Sequence, residues 1–164
     1  MNMANHLAEL RLAIGDATPE SAKAELLLEG LLVGLVESHD ARVLGKPGPM
    51  GPLIQRCKGL LQKREDLDPQ RAEALALLDK VDTLRNKRNR LIHDVVAVQP
   101  IQAGKREGPQ FARLASPWRS SIQSDPFEVS ELWELSEEFR QISMKLFLWS
   151  YENLPYLGKQ WTSN

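Results

Sequence analysis

Apolar residues recur at intervals of three and four along most of the chain, which is the periodicity of helices that bury one face. The first amphipathic segment, 7–14, is followed directly by Gly15, a residue that often ends a helix. Thr18 and Pro19 then provide an N-cap candidate and a proline suited to the first helical position. We therefore expect a short helix ending near Gly15 and a second one running to about Leu44.

Three more helices follow from the same pattern. The proline-rich and glycine-rich segment 45–52 predicts a connecting loop, and 53–64 predicts the third helix. Asp68 and Pro69 repeat the cap and proline signature at the start of the fourth and longest helix. Ser130 is a cap candidate for the last helix. Its apolar stripe consists of Leu132, Leu135, Phe139, Ile142, Leu146 and Trp149.

The pattern changes between the fourth helix and the last one. Two short runs with β-branched or aromatic residues, VVAVQPI and QFARL, flank the glycine-containing segment AGKREGPQ, which indicates a small β-hairpin. The following ASPWRSSIQSDPF indicates irregular structure. The predicted fold is all-α: an up-and-down bundle of about five helices with a β-hairpin or irregular insertion near 95–125. We expect a single domain over 1–154 and a tail over 155–164.

Composition narrows the class of protein only slightly. The chain has 164 residues and a formal net charge of −1, so attraction to a polyanion has to come from local clusters of basic residues. Cys57 is the only cysteine, the N-terminal residues do not have the order of a signal peptide, and the most apolar run, 26–36, is too short to span a membrane. We therefore expect a cytoplasmic protein with no membrane association.

The fourth helix carries the most unusual local pattern. At about 100° per residue, its apolar stripe is roughly 140° wide and must face the core or a partner. Arg88 lies near the middle of that stripe, where a charge is costly unless it is paired or functional. Asn89 and His93 lie together beside the stripe, whereas Lys87 and Arg90 point away from it as solvated charges. The stripe consists of Leu77, Leu78, Val81, Leu84, Leu91, Ile92 and Val95.

Common catalytic motifs are missing from the sequence. It contains no C-x-x-C, H-E-x-x-H, G-x-x-x-x-G-K or G-x-S-x-G, which are typical of thiolate zinc sites, zinc proteases, P-loops and serine hydrolases. The remaining candidate is the stretch RNKRNRLIHD at 85–94, with four positive charges and a histidine.

The motif RNRLIH at 88–93 resembles the signature of the HEPN superfamily, an arginine followed after four to six residues by a histidine, often with a polar residue directly after the arginine. By position, Arg88 matches the motif arginine, Asn89 the polar residue and His93 the motif histidine. The resemblance implies a compact helical bundle that dimerises so that two motifs line one cleft. It also implies metal-independent RNA cleavage, which is typical of many members.

Elementary chemistry supports these roles. RNA carries its own nucleophile, the 2′-hydroxyl, so cleavage requires a group that moves protons and a group that stabilises the phosphorane. Imidazole suits the first task, and guanidinium suits the second because it binds phosphate oxygens bidentately. Arg88 and His93 are about 140° apart on an ideal helix, so a two-fold dimer is the simplest way to bring arginine of one copy to histidine of the other.

The sequence thus predicts a dimeric endoribonuclease without cofactor or metal, in which Arg88, His93 and Asn89 are catalytic. Arg85, Lys87 and Arg90 are expected to bind RNA, and the family resemblance implies a toxin or defence effector with a cognate antitoxin or inhibitor. Three alternatives stay open. They are a non-catalytic module of the same fold that binds a nucleotide or protein, a structural helical dimerisation domain, and a basic helix end that complements the helix dipole.

Overall fold

Four α-helices form the body of the protein in the computed structural model, which describes residues 3–37, 49–93, 95–99, 110–114 and 124–155. The helices are α1 (Met3–Val36), α2 (Met50–Leu61), α3 (Gln70–His93) and α4 (Ser130–Asn153). A short 3-10 turn, Glu65–Leu67, lies between α2 and α3. The helical character predicted from the sequence is confirmed, and the predicted tail, apart from Pro155, lies outside the described residues.

The predicted break near Gly15 was wrong, because α1 is one helix of 34 residues that contains both Gly15 and Pro19. Thr18 does not cap a new helix: its hydroxyl donates to the carbonyl oxygen of Ile14 at 2.8 Å, as it does in a helix interior. The apolar face continues through the interruption, with Ala13 and Ala17 fully buried. Packing of this face therefore outweighs the local preference of glycine and proline for a break.

The ends of two helices also differ from the prediction. α1 ends at Val36, and Glu37 has a positive φ of 55°, so the predicted continuation of the helix was wrong at Glu37. The rest of the predicted continuation, 38–44, lies outside the described residues. α2 begins at Met50 instead of 53, so the last three residues of the predicted loop, 50–52, belong to the first turn of α2. Pro52 is tolerated there because N–H groups of a first turn have no intrahelical partner to lose.

α1 and α2 run in the same direction, which departs from the predicted up-and-down order. Cys57 in α2 donates from Sγ to the carbonyl oxygen of Leu28 at 3.7 Å. Just after α2, Arg64 donates to the carbonyl oxygen of Leu35 at 3.2 Å.

α3 runs antiparallel to both of its helical neighbours. Lys58, in the last turn of α2, pairs with Asp79 of α3 at 2.6 Å, whereas Gly51, in the first turn of α2, lies against Arg85, which comes later in α3. α4 shows the same relation. Trp149, late in α4, donates from Nε1 to the carbonyl oxygen of Gln70 at the start of α3, whereas Glu138, early in α4, pairs with Lys80 further along α3. α1, α2 and α4 are therefore parallel to one another.

A three-stranded antiparallel sheet lies between α3 and α4 in the chain. β1 (Val95–Gln99) pairs with β2 (Gln110–Leu114), with Val95 opposite Leu114, where the sequence indicated a hairpin. The connecting residues 100–109 lie outside the described residues. β3 (Ser124–Phe127) pairs with β2 at the edge of the sheet. The expectation of irregular structure was wrong for this strand, whose edge position accommodates a proline.

The described part of the α3 stripe is buried inside the single chain. Leu78, Val81, Leu84 and Leu91 are at most 1% exposed, and all the predicted stripe residues of α4 are buried. Each fully buried side chain of this size contributes on the order of 2 kcal/mol to folding. The stripe therefore does not require a second subunit to cover it. None of the helices in the described residues combines the length and the apolar composition needed to cross a membrane.

Candidate functional site

A pocket of about 350 Å³ opens where the first turn of α2 meets α1, α3 and α4. The α3 side of the pocket is formed by Arg85, Arg88 and Asn89, which share one helix face because they are spaced by three and four residues. The fully buried ring of Phe139 from α4 also contributes to the lining. The pocket thus combines an apolar surface with the basic cluster found in the sequence.

The three α3 side chains are partly buried and held by neighbours on their own helix. Arg88 donates from Nη1 to Oδ1 of Asn89 at 3.1 Å, which leaves the amide NH₂ of Asn89 available to a ligand. Arg85 donates from Nε to Oδ1 of Asp82 at 2.8 Å, and the side chain of Arg85 is 27% exposed. These contacts orient two guanidinium groups along the pocket.

The start of α2 adds backbone donors to the same pocket. α2 has no side-chain N-cap and no acidic residue in its first turn, so its positive dipole end is not neutralised by its own residues. Gly51 lies against the guanidinium of Arg85: a Cβ at this position would be 3.3 Å from Arg85 Cζ. A cationic head group and a helix N-terminus so close together favour an anion between or beside them.

The α1 side of the pocket presents acceptors. The hydroxyl of Thr18 donates to the carbonyl oxygen of Ile14, and that of Ser21 donates to the carbonyl oxygen of Thr18, both at 2.8 Å. Their protons are therefore used within the helix, and only lone pairs remain for a ligand. Glu25 completes this side, and no hydrogen bond or ion pair joins its carboxylate to another side chain in the described part of the chain.

Positive and negative charges lie on different sides of the pocket, so its surface is not uniformly positive. Two guanidinium groups on α3 are balanced by Glu25 on α1 and by Asp82, the partner of Arg85. Attraction of an anion at this site therefore depends on directed hydrogen bonds from arginine and backbone donors, and only weakly on net charge.

Three of the six predicted site residues, Arg85, Arg88 and Asn89, line the pocket. Lys87 is partly buried and Arg90 is exposed, and neither lines it. His93 is the last residue of α3, four residues after Asn89, and its side chain lies outside the described residues.

Sequence reasoning missed the α1 and α2 sides of the pocket. Thr18, Ser21 and Glu25 follow the helical spacing i, i+3 and i+7, so their common position on one face of α1 was a usable signal. Met50 and Gly51 were assigned to a loop because the surrounding prolines obscured the helix start. Their proximity to Arg85 depends on tertiary packing and had no sequence signal.

The single cysteine of the chain is not a candidate nucleophile. Cys57 is fully buried, and burial raises the pKa of its thiol to about 12, so the nucleophilic thiolate is not populated near neutral pH. Among the side chains that the structure describes, no three His, Cys, Asp or Glu residues are grouped so that they could hold a metal ion.

No protein-family model matches this chain, and neither a curated protein nor a solved structure matches it. The function of the pocket therefore has to be inferred from the chemistry of its residues.

Proposed function

We propose that the protein is a metal-independent endoribonuclease of HEPN type, with a composite active site at the cleft of a dimer. The observation that supports this function best is the position of Arg88 and Asn89, the first two residues of the motif. Both line an open pocket into which Arg85 and the uncapped start of α2 also contribute donors. A toxin or defence role with a protein inhibitor remains part of the proposal through the resemblance of the motif.

The pocket donors suit a phosphodiester. The two arginines offer planar sets of N–H groups that match pairs of phosphate oxygens, and the free N–H groups of a helix start provide an additional anion site. The same donors stabilise a phosphorane better than a phosphate, because more negative charge develops on its equatorial oxygens. Binding and transition-state stabilisation thus come from one set of groups.

In the proposed reaction, O2′ of RNA attacks the adjacent phosphorus and the bond from phosphorus to O5′ breaks. His93 accepts the proton from O2′, and the leaving O5′ receives a proton from an imidazolium, so that the products carry a 2′,3′-cyclic phosphate and a 5′-hydroxyl. Imidazole can act in both directions near neutral pH because its reference pKa is about 6.5.

A second copy of the chain is part of the proposal for a geometric reason. Five residues separate Arg88 from His93, and on a regular helix this spacing directs the two residues about 140° apart. Since the helix continues to His93, α3 offers no irregular turn that would bring them together. A two-fold axis near the end of α3 would place Arg88 of one copy beside His93 of the other.

A non-catalytic nucleotide-binding module is the second candidate function. The pocket volume of about 350 Å³ lies at the lower end of the range of ligand pockets, roughly 300 to 1,000 Å³. Donors on one side and acceptors on the other would suit a single nucleotide without any cleavage chemistry.

The test is incubation of purified protein with mixed RNA in the presence of a chelator. We expect cleavage that is slowed by about a hundredfold or more in Arg88→Ala and in His93→Ala, since each variant lacks one catalytic role. Arg56→Ala is the matched control, because Arg56 is an exposed arginine on α2 that does not line the pocket.

Two outcomes would contradict the proposal. One is the absence of RNA cleavage by protein with native circular dichroism, with nucleotide binding then supporting the second candidate. The other is cleavage by His93→Ala at the wild-type rate.

A further inference from the structure

We infer that Glu25 selects ribonucleotides by accepting a hydrogen bond from the 2′-hydroxyl of the nucleotide that follows the scissile phosphate, a hydroxyl distinct from the attacking O2′. This inference rests on the proposed function and adds a specificity-determining residue to it. Glu25 lies on α1, outside the motif, and faces a pocket whose basic residues lie on α3.

The first step concerns what the α1 side can recognise. Both hydroxyl protons there are donated to α1 carbonyl oxygens, and the Glu25 carboxylate accepts no hydrogen bond from a described residue. A partly buried carboxylate in this situation gains most from a ligand donor, since it has given up some of its hydration. The α1 side thus requires O–H or N–H groups on the ligand.

The second step concerns the opposite side. The groups on this side, Arg85, Arg88 and the start of α2, are hydrogen-bond donors and suit an anionic acceptor. A simple phosphate ion would match them but would also face the carboxylate of Glu25, which repels it. A ligand that satisfies both sides therefore has phosphate at one end and hydroxyl donors at the other.

A ribonucleotide unit has this arrangement of groups. Its 5′-phosphate suits the arginines, and its 2′-hydroxyl is a donor within the same residue. The 2′-hydroxyl is also the group that distinguishes RNA from DNA. A deoxynucleotide has no 2′-hydroxyl, so it would remove water from the Glu25 carboxylate without giving it a hydrogen-bond donor. DNA is therefore disfavoured by the desolvation of Glu25 as well as by the loss of one hydrogen bond.

The test measures binding of a single-stranded RNA and of the DNA of the same sequence, with His93→Ala as the parent so that RNA is not consumed. We expect the parent to prefer RNA by about tenfold, the value of one charge-assisted hydrogen bond. In the Glu25→Ala variant of this parent the two affinities should become nearly equal. The ratio is used because removing a negative charge strengthens binding of both polymers.

Glu29→Ala is the matched control. Glu29 lies one turn further along α1, is partly buried and does not line the pocket, so its removal should leave the RNA preference unchanged. An unchanged preference in Glu25→Ala would overturn the role of Glu25 while leaving RNA binding by the pocket intact. Failure of the parent to bind either polymer would overturn the proposed function together with this inference.

Discussion

Arg88 occupies a position on α3 where the neighbouring stripe residues, Leu84 and Leu91, are almost completely buried. It is tolerated there because its long side chain reaches the pocket and bonds to Asn89. Polar contact at the head group offsets part of the cost of placing a charged side chain among apolar neighbours. This residue is therefore explained better by a role in the pocket than by the stability of the fold.

Arg88→Leu tests this explanation at the residue scale. The substitution extends the apolar stripe, so we expect the free energy of unfolding to stay the same or to rise by about 1 kcal/mol. RNA affinity should fall at least tenfold because a phosphate ligand loses its guanidinium partner. Urea unfolding and filter binding measure the two quantities. A clear loss of stability without loss of RNA binding would show that Arg88 is structural.

Cys57 gives a second prediction at this scale, because its thiol is far more acidic in the unfolded chain than in the fold. Because the pKa of Cys57 is raised in the folded state, the unfolded chain loses the thiol proton at lower pH than the folded protein does. The protonated thiol therefore contributes fully to stability below the unfolded-state pKa, and this contribution is lost as pH rises towards about 12. Between pH 7 and pH 10, wild-type protein should lose about 2 kcal/mol more stability than Cys57→Ala. Equal pH dependence in urea unfolding of the two proteins would contradict this.

At the scale of elements, α1 shows how packing decides against local sequence preference. A proline inside a helix costs about 3 kcal/mol, and a glycine costs about 1 kcal/mol relative to alanine. These costs are offset by burial of several α1 side chains, among them Leu10, Leu28 and Leu31, at about 2 kcal/mol each. α1 forms its largest helix contact with α4, so a break in α1 would disrupt that interface.

Gly15→Ala and Pro19→Ala distinguish one long helix from two short ones. In a continuous helix both variants are stabilised, by about 1 kcal/mol and about 2 kcal/mol, because a Cβ at Gly15 meets no atom within 4 Å and alanine restores the missing N–H. In a broken helix, both substitutions would remove residues suited to the break and would be destabilising. Thermal unfolding of the two variants gives the sign directly.

The sequence predicted those elements whose pattern is uninterrupted. α3 and α4 have the expected stripes because their apolar residues recur without glycine or proline in the helix interior. The α3 side of the pocket was predictable for the same reason, since Arg85, Arg88 and Asn89 are close along one helix. The α1 and α2 sides were not, because Glu25 and Gly51 reach the pocket only through the packing of distant segments.

At the scale of the whole molecule, the structure leaves one of the reasons for expecting a dimer. The α3 stripe had to face either the core or a partner, and its described residues are covered by the other helices of the same chain. What still favours two copies is the separation of Arg88 and His93 around a regular helix. A dimer is therefore proposed for catalysis and is not required for folding of the bundle.

The most direct test of the composite active site is complementation between two inactive variants. Arg88→Ala and His93→Ala are co-expressed with different tags, and the heterodimer is isolated by two successive affinity steps. It contains one site with both wild-type residues and one with neither, so we predict about half of the wild-type RNA cleavage rate in chelator. A heterodimer as inactive as the two variant homodimers, or failure of the second tag to retain any partner, would contradict the account.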